Sequence, residues 1–140
     1  MSKIVLDKAI ELVPSLLPAH LDYLTLIFLY KCVHFYDIST LDDLKIRYEE
    51  IHNLFHAPNK ANTIPYFNMQ GLLTLSLGKG SAVLSKMYNF DEQEVIHILP
   101  PEHTIIPSDY TLTPVGIVLA IFNSHSKWNQ KFNLSTWITE

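Results

Sequence analysis

The sequence predicts a mostly helical α+β fold with one small antiparallel wing. Three stretches predict it. In "STLDDLKIRYEEIHNLF" the apolar residues Leu41, Leu44, Tyr48, Ile51 and Phe55 fall at steps of 3, 4, 3 and 4, the spacing of one helix face. "GLLTLSLGKG" begins at a helix-ending glycine and then alternates as a strand does. "YTLTPVGIVLAIF", residues 110–122, is a strand in its first half and a helix in its second.

The elements follow in order. "SKIVLDKAIELV" places Ile4, Leu6, Ala9, Ile10 and Val13 near helical spacing, with Ser2 as a cap and Pro14 as the stop. "LPAHLDYLTLIFLYKCVHFY" has Pro18 suited to a first helical turn. Leu21, Leu24, Ile27, Phe28, Leu29, Cys32, Val33 and Phe35 leave it almost no polar face, so this is the expected central helix. Ser39 with Asp42, or Thr40 with Asp43, resembles a capping box ahead of the third helix, which Pro58 closes. Asn62 or Thr63 caps a short fourth helix with Pro65 in its first turn and Gly71 at its end. Leu73, Leu75 and Leu77 then share one strand face, and Gly78-Lys79-Gly80 reads as a hairpin turn. "SAVLSKMY" is open between a return strand and a helical turn; "FDEQEVIHILP" is open in the same way. Thr113 is an N-cap with Pro114 behind it, and Gly116 lets the last helix start approach a neighbour closely. Phe132, Leu134, Trp137 and Ile138 are expected to return to the core as a tail.

Three helices, a short fourth and two strands before a last helix is the order of a winged helix-turn-helix-like domain. Gln70-Gly71-Leu72-Leu73 and Leu112-Thr113-Pro114-Val115-Gly116 look like its two joints, and the wing between them spans about 40 residues, long for such a wing. The length of 140 residues makes the whole chain, 1–140, a single domain.

Composition narrows the function. Charged residues are 17% and apolar residues 48%, so the surface is short of polar groups, which points to a protein partner or a homodimer contact. The net charge is -4, and Arg47 is the one arginine. Phosphate contacts depend on Lys and Arg, so nucleic-acid binding is disfavoured. The lone Cys32 allows neither an internal disulfide nor a cysteine zinc site. Asp7, Lys8 and Glu11 interrupt any signal-peptide pattern, and the apolar run Tyr23–Tyr30 stops at Lys31. A soluble cytoplasmic protein without membrane partner, cofactor or metal is expected.

Residue patterns supply few candidates for chemistry. His52 and His56, with Glu49, share one side of the third helix at a metal-ligand spacing, but no "HExxH" order is present. The expected reading is a solvated helix flank. "GKGS", residues 78–81, holds only part of a phosphate-loop pattern. If the domain reads DNA, its candidate contacts are Asn62, Asn68 and Gln70 on the short helix and Lys79 and Lys86 at the wing. If it binds protein, the candidate interface is the surplus apolar helix around Leu24, Phe28, Tyr30 and Phe35. No catalytic set is found, and a non-enzymatic module is expected.

The stretches "GLLTLSLGKG", "YTLTPVGIVLAIF" and "FNLSTWI" resemble the C-terminal region of bacterial proteins linked to abortive phage infection. There, helices like "LDYLTLIFLYKC" and "STLDDLKIRYEEI" come first, and the likeness runs over roughly residues 16–138. It implies a role in phage defence and brings no catalytic motif. Members of that family carry a further N-terminal region, so the likeness implies a stand-alone version or one domain of a longer protein.

Overall fold

The computed structural model describes residues 3–58 and 63–133. Helix α1 (Lys3–Leu12) runs into a 3-10 turn at Val13–Ser15, where Pro14 stops it. Helices α2 (Pro18–Lys31), α3 (Leu41–Leu54) and α4 (Thr63–Met69) follow. Strand β1 (Leu73–Leu75) leads to α5 (Gly80–Tyr88), α6 (Glu92–Ile98) and a 3-10 turn at Pro101–Ile105. Strand β2 (Tyr110–Leu112) feeds α7 (Pro114–Lys127). The fold is therefore mostly helical with one small antiparallel sheet, in which Leu73 faces Leu112 and Leu75 faces Tyr110. The proposed cap Ser2, the candidate contact Asn62 and the tail residues Leu134, Trp137 and Ile138 lie outside the described residues.

Helix α2 is the centre. Leu24, Leu26, Ile27, Phe28, Leu29 and Tyr30 have no exposed surface. Such a helix must be covered on all sides, since each buried leucine-sized side chain is worth about 1.5–3 kcal/mol. Helix α7 supplies the main cover, α5 packs on another side, and β2 lies against the same helix. Helix α3 joins through Tyr48, whose hydroxyl donates to the Leu29 carbonyl at 2.5 Å. Helix α1 lies on α7 rather than on α2. Phe132 returns to the core, edge-on to Phe28 at 5.3 Å.

The joints are built as their residues dictate. Thr40 and Asp43 form the reciprocal cap of α3: the Asp43 N–H donates to Thr40 Oγ1, and Asp43 Oδ2 accepts from the Thr40 N–H. Gly71, at φ +71°, ends α4. Its N–H donates to Asn68 O, and the Leu72 N–H reaches back to Phe67 O at 3.0 Å. This pair of bonds needs one left-handed residue, which glycine adopts without strain. Thr113 caps α7 by accepting the Gly116 N–H. A Cβ at Gly116 would lie 2.6 Å from the Leu72 carbonyl oxygen, so the close approach is to the backbone of the first joint.

The Gly-Lys-Gly segment is not a hairpin turn. Lys79 is the N-cap of α5, and Gly80 and Ser81 are its first residues. "SAVLSKMY" is therefore helix, and so is "EQEVIHI", whose N-cap Asp91 accepts the Glu94 N–H. β1 pairs with β2 only after two helices and a turn have intervened.

Candidate functional site

The four residues expected to form a protein seam are interior. Leu24, Phe28 and Tyr30 are 0% exposed and Phe35 is 6% exposed. Their apolar surface is consumed by α7, α5 and Tyr48 within the chain, so no partner reaches it. The apolar surplus of α2 is a core requirement and not an interface.

Exposed apolar surface lies elsewhere. The ladder between the strands continues past β1, with Ser76 N–H donating to Asp109 O and Gly78 N–H to Ser108 O. This ribbon projects beyond the core: Leu73 is buried, while Leu75 is 76% and Leu77 is 87% exposed. Met69, at the end of α4 just before the ribbon, is 83% exposed. Alternation had put all three leucines on one half-buried face. It cannot show where the ribbon outruns the body beneath it.

Of the candidate DNA contacts within the described residues, two lie at the end of α4 and two on or beside α5. Asn68 is exposed on α4 and Gln70 is half-buried beyond its end, its N–H bound to Tyr66 O. Lys79 follows the last ladder residue, Gly78, as the N-cap of α5, and Lys86 lies in the last turn of that helix. Helix α4 carries no Lys or Arg.

Two cavities flank the 3-10 turn at Pro101–Ile105. The first, about 600 Å³, is lined by Glu49, His52, His56 and Glu102 among others. It gathers the metal-spaced histidines, yet among the described residues no three such side chains are arranged to hold a metal ion. Instead the Tyr30 hydroxyl and His52 Nε2 share a hydrogen bond at 2.7 Å. Burial pushes His52 below its ordinary 6.5 and outweighs the opposing carboxylate of Glu102; His103 and His56 add to the fall. A depressed folded-state value means that the unfolded chain takes up the proton first. Stability from this group is present above pH 6.5 and is lost as pH falls through the folded value. The melting temperature of His52→Gln is expected to fall less between pH 7.5 and pH 5 than that of the wild type, because glutamine can still bond Tyr30 and does not titrate. Parallel pH profiles for the two proteins would refute this assignment.

The second cavity, about 610 Å³, opens in front of α5. Lys79, Gly80, Ser81 and Ser108 are among its polar lining residues, with His103 and Thr104, and Ile64, Ile96, Ile106 and Pro107 are among its apolar ones. Cys32 lies outside both cavities, its Sγ 3.7 Å from Thr111 Oγ1. Burial pushes its thiol up, so it carries little of the reactive thiolate.

One polar cluster went unnoticed in the sequence. Asp22 is 5% exposed, deep in the apolar helix α2. It accepts the His56 N–H at 3.0 Å, Asn123 Nδ2 at 2.9 Å and Lys127 Nζ at 2.9 Å, tying α2 to α7 and to the exit of α3. A single acid inside an otherwise apolar helical run was the available signal.

A protein-family model matches residues 1–109, which takes in α1 to α6 and β1. The chain belongs to that family. Both cavities lie wholly within the matched residues; β2 and α7 lie beyond them. No curated protein and no solved structure matches the chain. No helix among the described residues is long and apolar enough to cross a membrane.

Proposed function

We propose that the chain is a non-enzymatic, winged-helix-like interaction module that binds a protein partner or a second copy of itself through its ribbon, in a bacterial phage-defence setting. The carrying observation is the ribbon: a wing-like projection bearing Leu75 and Leu77 at 76% and 87% exposure. A wing that tracks a phosphate backbone needs cations, whereas this one presents leucines. The winged reading rests on the two glycine joints and on the antiparallel pairing of β1 with β2. The phage-defence setting rests on the resemblance of the stretches around those joints.

Sedimentation of the purified chain, alone and with a short DNA duplex, tests the reading. A self-associated species that ignores the duplex is expected, and Leu75→Ser with Leu77→Ser should weaken it roughly 100-fold if both leucines are covered. A monomer that moves onto the duplex at low salt would instead favour a DNA-binding regulator using Asn68, Gln70, Lys79 and Lys86. A monomer indifferent to DNA removes the second-copy version.

A further inference from the structure

The start of α5 has donors and no acceptor. No side chain caps this nine-residue helix. Its first internal bond is Val83 N–H to Lys79 O, which leaves the N–H groups of Gly80, Ser81 and Ala82 without a helical partner. Such groups attract anions, although a helix start alone does not make a site. The second observation is Ser81. It is 3% exposed, it lines the second cavity, and its hydroxyl makes no hydrogen bond with the described residues. Two other helix serines satisfy themselves by bonding back, Ser85 to Ala82 O and Ser126 to Asn123 O, whereas the buried Ser124 in α7 also lacks a partner but lines neither cavity. Ser81, in the first turn, has no helical carbonyl behind it. Lys79 stands next to it at the cavity mouth and makes no ion pair with the described residues.

We propose that the start of α5 binds phosphate, and that the second cavity holds a small phosphate ester. Three backbone N–H groups, the Ser81 hydroxyl and the Lys79 ammonium meet the phosphoryl oxygens, as charge-assisted donors do. A volume of about 610 Å³ exceeds what inorganic phosphate fills and lies within the range of small-molecule sites. The wall of Ile64, Ile96 and Ile106 takes the apolar or planar body of the ester. A concave site with its serine buried suits a small ester rather than the backbone of a duplex.

The experiment is an amide NMR titration of the full chain with inorganic phosphate, with phenyl phosphate and with a short DNA duplex. Both phosphates are expected to move the Gly80, Ser81 and Ala82 resonances, and phenyl phosphate to bind more tightly and to move Ile96 and Ile106 as well. Ser81→Ala and Lys79→Gln are each expected to weaken phenyl phosphate binding about tenfold or more, with the remaining spectrum unchanged. Unmoved resonances at Gly80 and Ser81 would overturn the proposal, and so would equal binding by Ser81→Ala. If the duplex moves these resonances and phenyl phosphate does not, the small-ester assignment fails. None of these outcomes touches the ribbon, so the interaction reading stands or falls separately.

Discussion

Replacing Asp22 by alanine is expected to cost about 3 kcal/mol of stability, a fall of roughly 10 °C in melting temperature. The carboxylate is buried and answers three donors from two other parts of the chain. Removing it strands the His56 N–H and takes one of two acceptors from the Asn123 amide, which keeps Thr25 Oγ1, and a buried donor left unsatisfied costs about 1–3 kcal/mol. Lys127 suffers less, because 37% of its side chain is exposed and water can solvate it. The double variant Asp22→Ala with Lys127→Met should therefore lose less than the two single losses combined. Thermal melts of the four proteins measure this. A single variant that melts within about 2 °C of the wild type would mean that the cluster adds little.

Gly116→Ala is expected to cost about 2 kcal/mol, against the usual gain of about 1 kcal/mol when alanine replaces a helical glycine. The new Cβ would stand 2.6 Å from the Leu72 carbonyl oxygen and 3.2 Å from Leu112 Cδ2. The oxygen cannot retreat cheaply. It accepts the Thr113 N–H at 3.0 Å, and the Leu72 N–H is held by Phe67 O at the end of α4. Moving it loosens both joints together. Gly71→Ala is the control, since nothing lies within 4 Å of its Cβ position. Its cost is conformational, about 1 kcal/mol for φ +71°. Chemical denaturation should rank Gly116→Ala below Gly71→Ala, and the reverse order would show that the joint yields.

Much of this fold was legible where the signal is local. The stripe Leu44, Tyr48, Ile51 and Phe55 is buried as its spacing requires. Thr113 with Pro114, and Gly71 after the short helix, mark their boundaries because capping depends on neighbours in sequence. The misread elements depend on distant partners. Gly80 resembles a turn glycine, yet a Cβ there would sit 3.0 Å from the Tyr30 ring, a contact across 50 residues. That crowding accounts for the glycine at a helix start. The apolar excess of α2 was read as a seam because its cover, α7, comes from the far end of the chain. The cavity at α5 is hidden for a related reason: Ser81 and Ile64 come to it from separate helices.

That separation has a consequence for synthesis. The chain between the end of α2 at Lys31 and the start of α7 at Pro114 must be made before the central helix can be covered. At about 5–20 residues per second this takes roughly 4–17 s, during which Leu24 to Tyr30 lack the cover of α7. The two strands cannot help earlier, since pairing them closes the long segment between Leu75 and Tyr110. The nascent chain therefore leaves the ribosome with the α7 side of its central helix bare, a natural client for a chaperone. A truncation that stops before α7 should accumulate as aggregate rather than as a smaller folded domain.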